Sequence, residues 1–270
     1  MIILLILIVL VLFYLFLIMP RMTGKPDASM LHGVYYAHRG FHDNKSDAPE
    51  NSMAAIKKAV ANGYGIEFDV QLTRDRIPVV FHDENLKRVC GAEGNVRDYT
   101  YEELQQFPLL ASDERIPLLA DVLSAVDGKV PLIIEIKVHE KAAEVCAYAD
   151  QLISVYKGPY CIESFDPRAV AWYKKNRPQV IRGQLSSSFS VNGKREKFSH
   201  MLVHYLLTNV MTRPDFIAYA HKHKGNVSRV LCRKLFGALS VAWTIRSQQE
   251  LDACKKDFDL FIFEQFIPRG

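Results

Sequence analysis

From residue 33 to residue 270 the sequence alternates between short β-branched or aromatic runs and longer runs with helical apolar spacing, and this limits the fold more than any other feature. Strand-like runs fall at Val34–Arg39, Gly65–Leu72, Pro78–His82, Pro131–Lys137, Tyr160–Phe165, Val180–Leu185, Phe216–Ala220, Leu239–Ile245 and Leu260–Phe266. Several are apolar throughout, as strands buried on both faces are. Between them, Ser52–Asn62 carries Met53, Ile56, Ala59 and Val60 before a stop at Gly63, and Leu119–Val126, Glu140–Tyr156, Pro167–Asn176 and Gln248–Lys256 follow similar spacing. Strand alternating with helix predicts a parallel sheet with helices packed outside it. Length and count fit a closed (β/α)8 barrel, the TIM barrel of the α/β class, better than a doubly wound sheet. Residues 83–117 break the pattern: polar, with Gly91 and Gly94, they are too long for a simple βα loop and read as an insertion over one mouth of the barrel.

The amino terminus differs in kind. Ile2 to Met19 contain no charge and no glycine. As a helix they would reach about 27 Å, close to the hydrocarbon thickness of a bilayer. They lack the basic start and small-residue cleavage site of a signal peptide, and they have no polar face. The expectation is a transmembrane anchor over 1–19, a linker over 20–32 and one domain over 33–270. Arg21 and Lys25 follow the apolar run, so the positive-inside rule predicts a single-pass membrane protein with its catalytic domain facing the cytoplasm. The five cysteines, Cys90, Cys146, Cys161, Cys232 and Cys254, are odd in number and lack metal-site spacing, in keeping with buried reduced thiols.

A net charge of +4 is too mild to mark a nucleic-acid binder. Residues 167–235 nevertheless hold fourteen basic residues against two acidic ones, a bias that would draw a tethered domain toward anionic headgroups. The plainer reading is a solvated face balanced by acids elsewhere in the fold. No aromatic-interleaved groove accompanies the charge, so the membrane is an expected partner and nucleic acid is not.

Four polar clusters stand at the carboxyl ends of apolar runs, where barrel active sites assemble: His38-Arg39-Gly40, Glu67-Phe68-Asp69, His82-Asp83 and Glu135-Ile136-Lys137. Residues i and i+2 of a strand share a face, so the carboxylates of Glu67 and Asp69 converge. Like charges inside a barrel are costly unless a cation neutralises them. All-oxygen donors suit a hard divalent cation, Mg²⁺ or Ca²⁺, and Glu135 offers a third carboxylate. His38 and His82 could pass a proton to and from a phosphodiester undergoing displacement. Arg39 offers a fork for phosphate and Lys137 a point charge. Gly40 permits close approach of the backbone.

These segments, AHRG, the PEN of Pro49-Glu50-Asn51, EFDVQLTRD and VVFHD, followed by LIIEIK, SFDP and AWT, resemble in order and spacing the glycerophosphodiester phosphodiesterase family. The resemblance implies a metal-dependent barrel that hydrolyses glycerophosphodiesters to glycerol 3-phosphate and an alcohol. By the same resemblance His38 and His82 are the acid/base pair, and Glu67, Asp69 and Glu135 the metal ligands. Arg39 and Lys137 contact phosphate, and Glu50 and Asn51 shape the site. Phe165 and Trp243 approach the glycerol, although plain barrel packing explains two aromatics equally well. Two positions depart from the family: Arg246 follows Ile245, and Phe263-Glu264 ends the last strand where a Thr-Asp pair is usual. They are expected to bear on substrate choice, not chemistry. The anchor points to membrane-derived substrates such as lysophospholipids. Rival readings are a phospholipase D-like or phosphatidylinositol phospholipase C-like activity, or a non-catalytic phospholipid-binding barrel.

Overall fold

The computed structural model describes residues 1–139, 141–188 and 197–269. Nine strands form one sheet: β1 (Tyr36–His38), β2 (Gly65–Leu72), β3 (Pro78–Val80), β4 (Leu132–Ile136), β5 (Tyr160–Ser164), β6 (Arg182–Ser186), β7 (Phe216–Ala220), β8 (Leu239–Ile245) and β9 (Leu260–Phe263). All neighbours pair in parallel except β2 and β3, and β1 pairs with both β9 and β2, so eight parallel strands close into a barrel. The Pro78–His82 run is therefore not a barrel strand. It folds back on β2 as an antiparallel hairpin, Val70 opposite Val80, and so carries His82 to the rim.

Period two along the strands explains what faces inward. On β4, Leu132, Ile134 and Ile136 pack outward against the helices while Ile133 enters the barrel interior. The interior layer of Tyr36, Ile133, Cys161, Val241 and Ile262 is apolar. Two residues further along each chain come His38, Glu135, Glu163, Trp243 and Glu264. One layer of barrel packing thus supports the layer of polar groups at the carboxyl ends of the strands.

Residues 83–117 carry short helices at Lys87–Cys90 and Tyr101–Leu104. Phe81, Leu86, Val89, Val96, Leu104, Leu109 and Ile116 give them a core of their own. The linker over 20–32 is more than a tether: Leu31 is fully buried, and its carbonyl accepts a 2.7 Å hydrogen bond from Tyr36 Oη beneath the barrel.

The amino-terminal helix runs Ile2–Ile18, and its last turn is docked on the barrel, with Ile18 fully buried. Among the described residues no helix is long and apolar enough to cross a membrane. This corrects the expected span over 1–19: part of the apolar run is occupied in packing against protein.

The basic stretch is also less of a face than its composition suggests. Arg182 and Arg229 are buried, and Arg177, Lys224 and Arg233 pair with Asp150, Asp257 and Asp259. Acids outside the stretch balance much of it. Lys194, Arg195 and Glu196, like Glu140 at the start of an expected helix, lie outside the described residues. That helix is observed over Ala142–Ile153.

Candidate active site

Glu67, Asp69 and Glu135 are each at most 5% exposed, and each turns a carboxylate oxygen within 4.8 Å of the others. β2 and β4 are adjacent, with Asp69 directly opposite Glu135, which places the cluster on two neighbouring strands. Burial, then repulsion from Asp69, drives Glu67 well above the usual carboxylate range. Burial pushes Asp69 upward too, but Lys137, His82, Arg39 and the Asn51 hydrogen bond together outweigh it and hold that carboxyl low. Lys137 Nζ bridges Asp69 Oδ1 at 2.9 Å and Glu135 Oε1 at 2.8 Å. A group expected to meet phosphate thus also holds two of the acids together.

Arg39 sits behind the same cluster in a left-handed backbone conformation, φ 54°. Its backbone N–H donates to Glu67 Oε2 at 3.1 Å and its Nη1 to Glu50 Oε1 at 2.6 Å. Nε lies 3.6 Å from Asp69 and has no hydrogen-bond partner. Glu50 also takes both guanidinium nitrogens of Arg88 at 2.7 Å, so one carboxylate ties the first loop to the insertion. Asn51 returns a backbone N–H to the Arg39 carbonyl at 2.9 Å and donates Nδ2 to Asp69 at 2.9 Å, holding both the loop and a member of the cluster. Gly40 has φ +80°, and a Cβ there would meet the Ala55 backbone carbon at 2.9 Å.

The two histidines share one arrangement: an acid holds Nδ1 of each. His38 Nδ1 lies 2.5 Å from Glu264 Oε2, and His82 Nδ1 lies 2.6 Å from Asp83 Oδ1. Burial pushes His38 down to about 4, against the pull of Glu264, so its ring is neutral at pH 7. A carboxylate can only accept, so Nδ1 carries the proton and Nε2 is left as an acceptor. Nε2 lies 3.8 Å from Glu67 Oε2. Gln71 donates to the carbonyls of Phe81 and Asp83, both at 2.7 Å, and fixes the hairpin end that bears His82. Asp69 interacts electrostatically with both histidines.

Sequence reasoning passed over Glu163 and gave Arg246 and Glu264 no part in holding His38. Arg246 Nε donates to Glu264 Oε1 at 2.7 Å, so the two departures from the family pattern bind each other and act on His38. Glu163, opposite Glu135 in the β4–β5 register, is 1% exposed and its Oε2 has no hydrogen-bond partner. Burial, then repulsion from Glu135, pushes it well up. Its place two residues after Cys161 was a readable signal, since Glu135 stands two residues after Ile133 in the same way.

Phe165 and Trp243 pack edge to face with ring centres 5.5 Å apart, on the apolar interior layer, and the buried Trp243 Nε1 has no hydrogen-bond partner. Beside Lys137 opens a cavity of about 470 Å³, lined in part by Gln71, Glu84, Arg97 and His139.

Solved structures share this architecture. A phosphodiesterase from Oleispira antarctica, in complex with the product sn-glycerol-3-phosphate, superposes with TM-score 0.70 at 23% identity, covering 86% of this chain and 93% of that one. Glycerophosphodiester phosphodiesterase from Thermotoga maritima gives 0.64 at 25% identity, covering 86% and 95%. Among curated proteins, glycerophosphodiester phosphodiesterase of Bacillus altitudinis is 43% identical over 109 residues, 38% of this chain and 43% of that protein. Human glycerophosphodiester phosphodiesterase 1 is 35% identical over 119 residues, 40% of this chain and 35% of that protein. The matched stretches thus span less than half of either curated relative. The family model for glycerophosphoryl diester phosphodiesterases matches residues 38–257, from His38 almost to the last strand. A closed parallel barrel with its acids, cations and imidazoles at the strand ends, matched over that length, makes this chain a member of the glycerophosphoryl diester phosphodiesterase family.

Proposed function

We propose that this chain hydrolyses glycerophosphodiesters to glycerol 3-phosphate and an alcohol, with a divalent cation held by Glu67, Asp69 and Glu135. One observation carries the reading: two imidazoles, each fixed at Nδ1 by an acid, stand at the same barrel end as three converging carboxylates. A protein that only bound phospholipid would have no use for two oriented proton carriers.

The three carboxylates fit a hard cation because every donor is oxygen and every one is buried. Such an ion, when bound, supplies charge stabilisation for a phosphoryl group. The remaining work falls to the chain. Arg39, whose Nε makes no hydrogen bond, and Lys137 orient the phosphate from the cluster side. His38, with Nε2 free to accept, takes the proton of the nucleophile, either water or the substrate's own glycerol hydroxyl, whose cyclic phosphate a water then opens. His82 returns a proton to the departing alkoxide, its ring steered by Asp83. Trp243 Nε1, buried and without a partner, is the group to meet the glycerol, with Phe165 holding the indole. The cavity beside Lys137 gives the alcohol portion room.

The apolar helix Ile2–Ile18 directs the domain to membrane-derived substrates such as lysophospholipids. Hydrolysis of glycerophosphocholine, lysophosphatidylcholine and phosphatidylinositol, with and without chelator, tests the proposal. Glycerol 3-phosphate from the first, lost with chelator, is expected. Phosphatidic or lysophosphatidic acid as sole product would favour a phospholipase D-like enzyme, and an inositol phosphate a phospholipase C-like one.

A further inference from the structure

We infer that the amino-terminal helix projects from the catalytic end of the barrel and seats that end on an anionic lipid surface, so the site opens toward the bilayer. The inference rests on the membrane reading proposed above and adds its geometry.

The direction of the helix follows from its contacts. Helix Val227–Lys234 succeeds β7, so it runs from the catalytic end back toward the opposite end. Tyr14 Oη lies 2.8 Å from Ser228 Oγ near the start of that helix. Four residues later in each helix, the Ile18 carbonyl accepts from Cys232 Sγ at 3.2 Å, and from Asn209 Nδ2 at 2.8 Å. Equal steps of one turn mean that the two helices run the same way. The chain then reaches the far end, where Arg21 N donates to Pro214 O and Arg21 Nη1 to Pro178 O, just ahead of β7 and β6. The amino-terminal helix therefore descends the barrel wall, and everything before Tyr14 rises past the catalytic rim.

That free portion is apolar on every side. Met1 to Phe13 are each between 47% and 107% exposed. From Ile2 to Phe13 the helix extends about 18 Å, roughly the depth of one leaflet and well short of a hydrocarbon core of about 30 Å. An all-apolar rod of that length enters a leaflet from one side, in accord with the absence of a crossing helix among the described residues. A helix recognised by a protein groove would present one apolar stripe and one polar stripe instead.

The rim beside it is built for the same surface. Phe198 opens the helix after β6 and is 72% exposed; Val227 opens the helix after β7 and is 62% exposed. Lys197 and Lys222, both exposed, flank these two residues and complement anionic headgroups.

The test uses the full chain with Cys90→Ser, an environment-sensitive fluorophore on a single introduced cysteine, and vesicles of phosphatidylcholine with phosphatidylglycerol. Val227→Cys reports the catalytic rim, and Lys129→Cys, on the exposed turn before β4, reports the far end. Flotation with the vesicles, together with a blue shift at 227 and none at 129, is expected. Leu7→Glu with Leu10→Glu, on exposed positions, should end flotation and leave hydrolysis of soluble glycerophosphocholine within two-fold. Flotation with the shift at 129 would overturn the orientation while leaving membrane attachment standing. Absence of flotation, or helix-dependent dimers in its place, would overturn the membrane reading as well.

Discussion

Arg246 and Glu264 meet at 2.7 Å on the rim between β8 and β9, and the other oxygen of the same carboxylate lies 2.5 Å from His38 Nδ1. Burial alone would raise Glu264, yet the His38 hydrogen bond, with help from Arg246, holds it at about 2. The carboxylate thus stays charged and keeps the ring in one tautomer and one orientation. Glu264→Gln is expected to lower kcat about 10- to 100-fold at nearly unchanged KM. Glu264→Asp should recover part of the loss, and Arg246→Ala should cost less than Glu264→Gln. Steady-state kinetics on glycerophosphocholine decide this, and a loss confined to KM would return these residues to substrate choice.

Cation binding should register in stability independently of turnover. Glu67, Asp69 and Glu135 repel one another in the folded barrel, so an ion that binds them stabilises the native state alone. At a hundred-fold excess over Kd the gain is about 2.7 kcal/mol. Thermal unfolding followed by circular dichroism should show Tm rising with Mg²⁺ or Ca²⁺, and Glu135→Gln should remove the rise.

Glu50 makes a prediction about acid. Burial pushes it up, but Arg88, Arg39 and Asn44 bring it down from 4.5 to about 2. Its folded value lies below its unfolded one, so its contribution is complete above pH 4.5 and is lost as the pH falls toward 2. Glu50→Gln should therefore lower Tm at pH 7, and the gap to the parent protein should narrow below pH 4.5. A gap constant across that range would count against the ion pairs.

Gly40→Ala tests the first loop. The new Cβ would press on the Ala55 backbone at 2.9 Å while the residue holds φ +80°. Neither neighbour is a flexible side-chain end, so a loss of roughly 1–3 kcal/mol is expected. Urea unfolding measures it, and a neutral result would mean that the loop shifts freely.

Much of this was legible in the sequence because it is local. Glu67 and Asp69 are two apart on one apolar strand, so their convergence needs only the pleat of β2. Glu135 repeats the pattern on the neighbouring strand. What stayed hidden depends on closure. Glu264 is 226 residues from His38, and nothing near either residue announces the other. The Pro78–His82 run has the composition of a buried strand, and only the short Thr73–Ile77 turn, closed by Thr73 N to Ile77 O at 3.2 Å, sends it back as a hairpin. The docking of Ile2–Ile18 was equally unreadable, because its partners Asn209, Arg213 and Cys232 lie some 190 or more residues downstream.

The pairing of β1 with β9 has a consequence for synthesis. His38 leaves the ribosome 226 residues ahead of the carboxylate that orients it. A nascent chain that has folded its first strands already possesses the acids and both imidazoles, but no seam to hold the ring of His38. Turnover should therefore switch on only when the final strand slots in, and a chain cut short before Leu260 should bind cations without processing substrate.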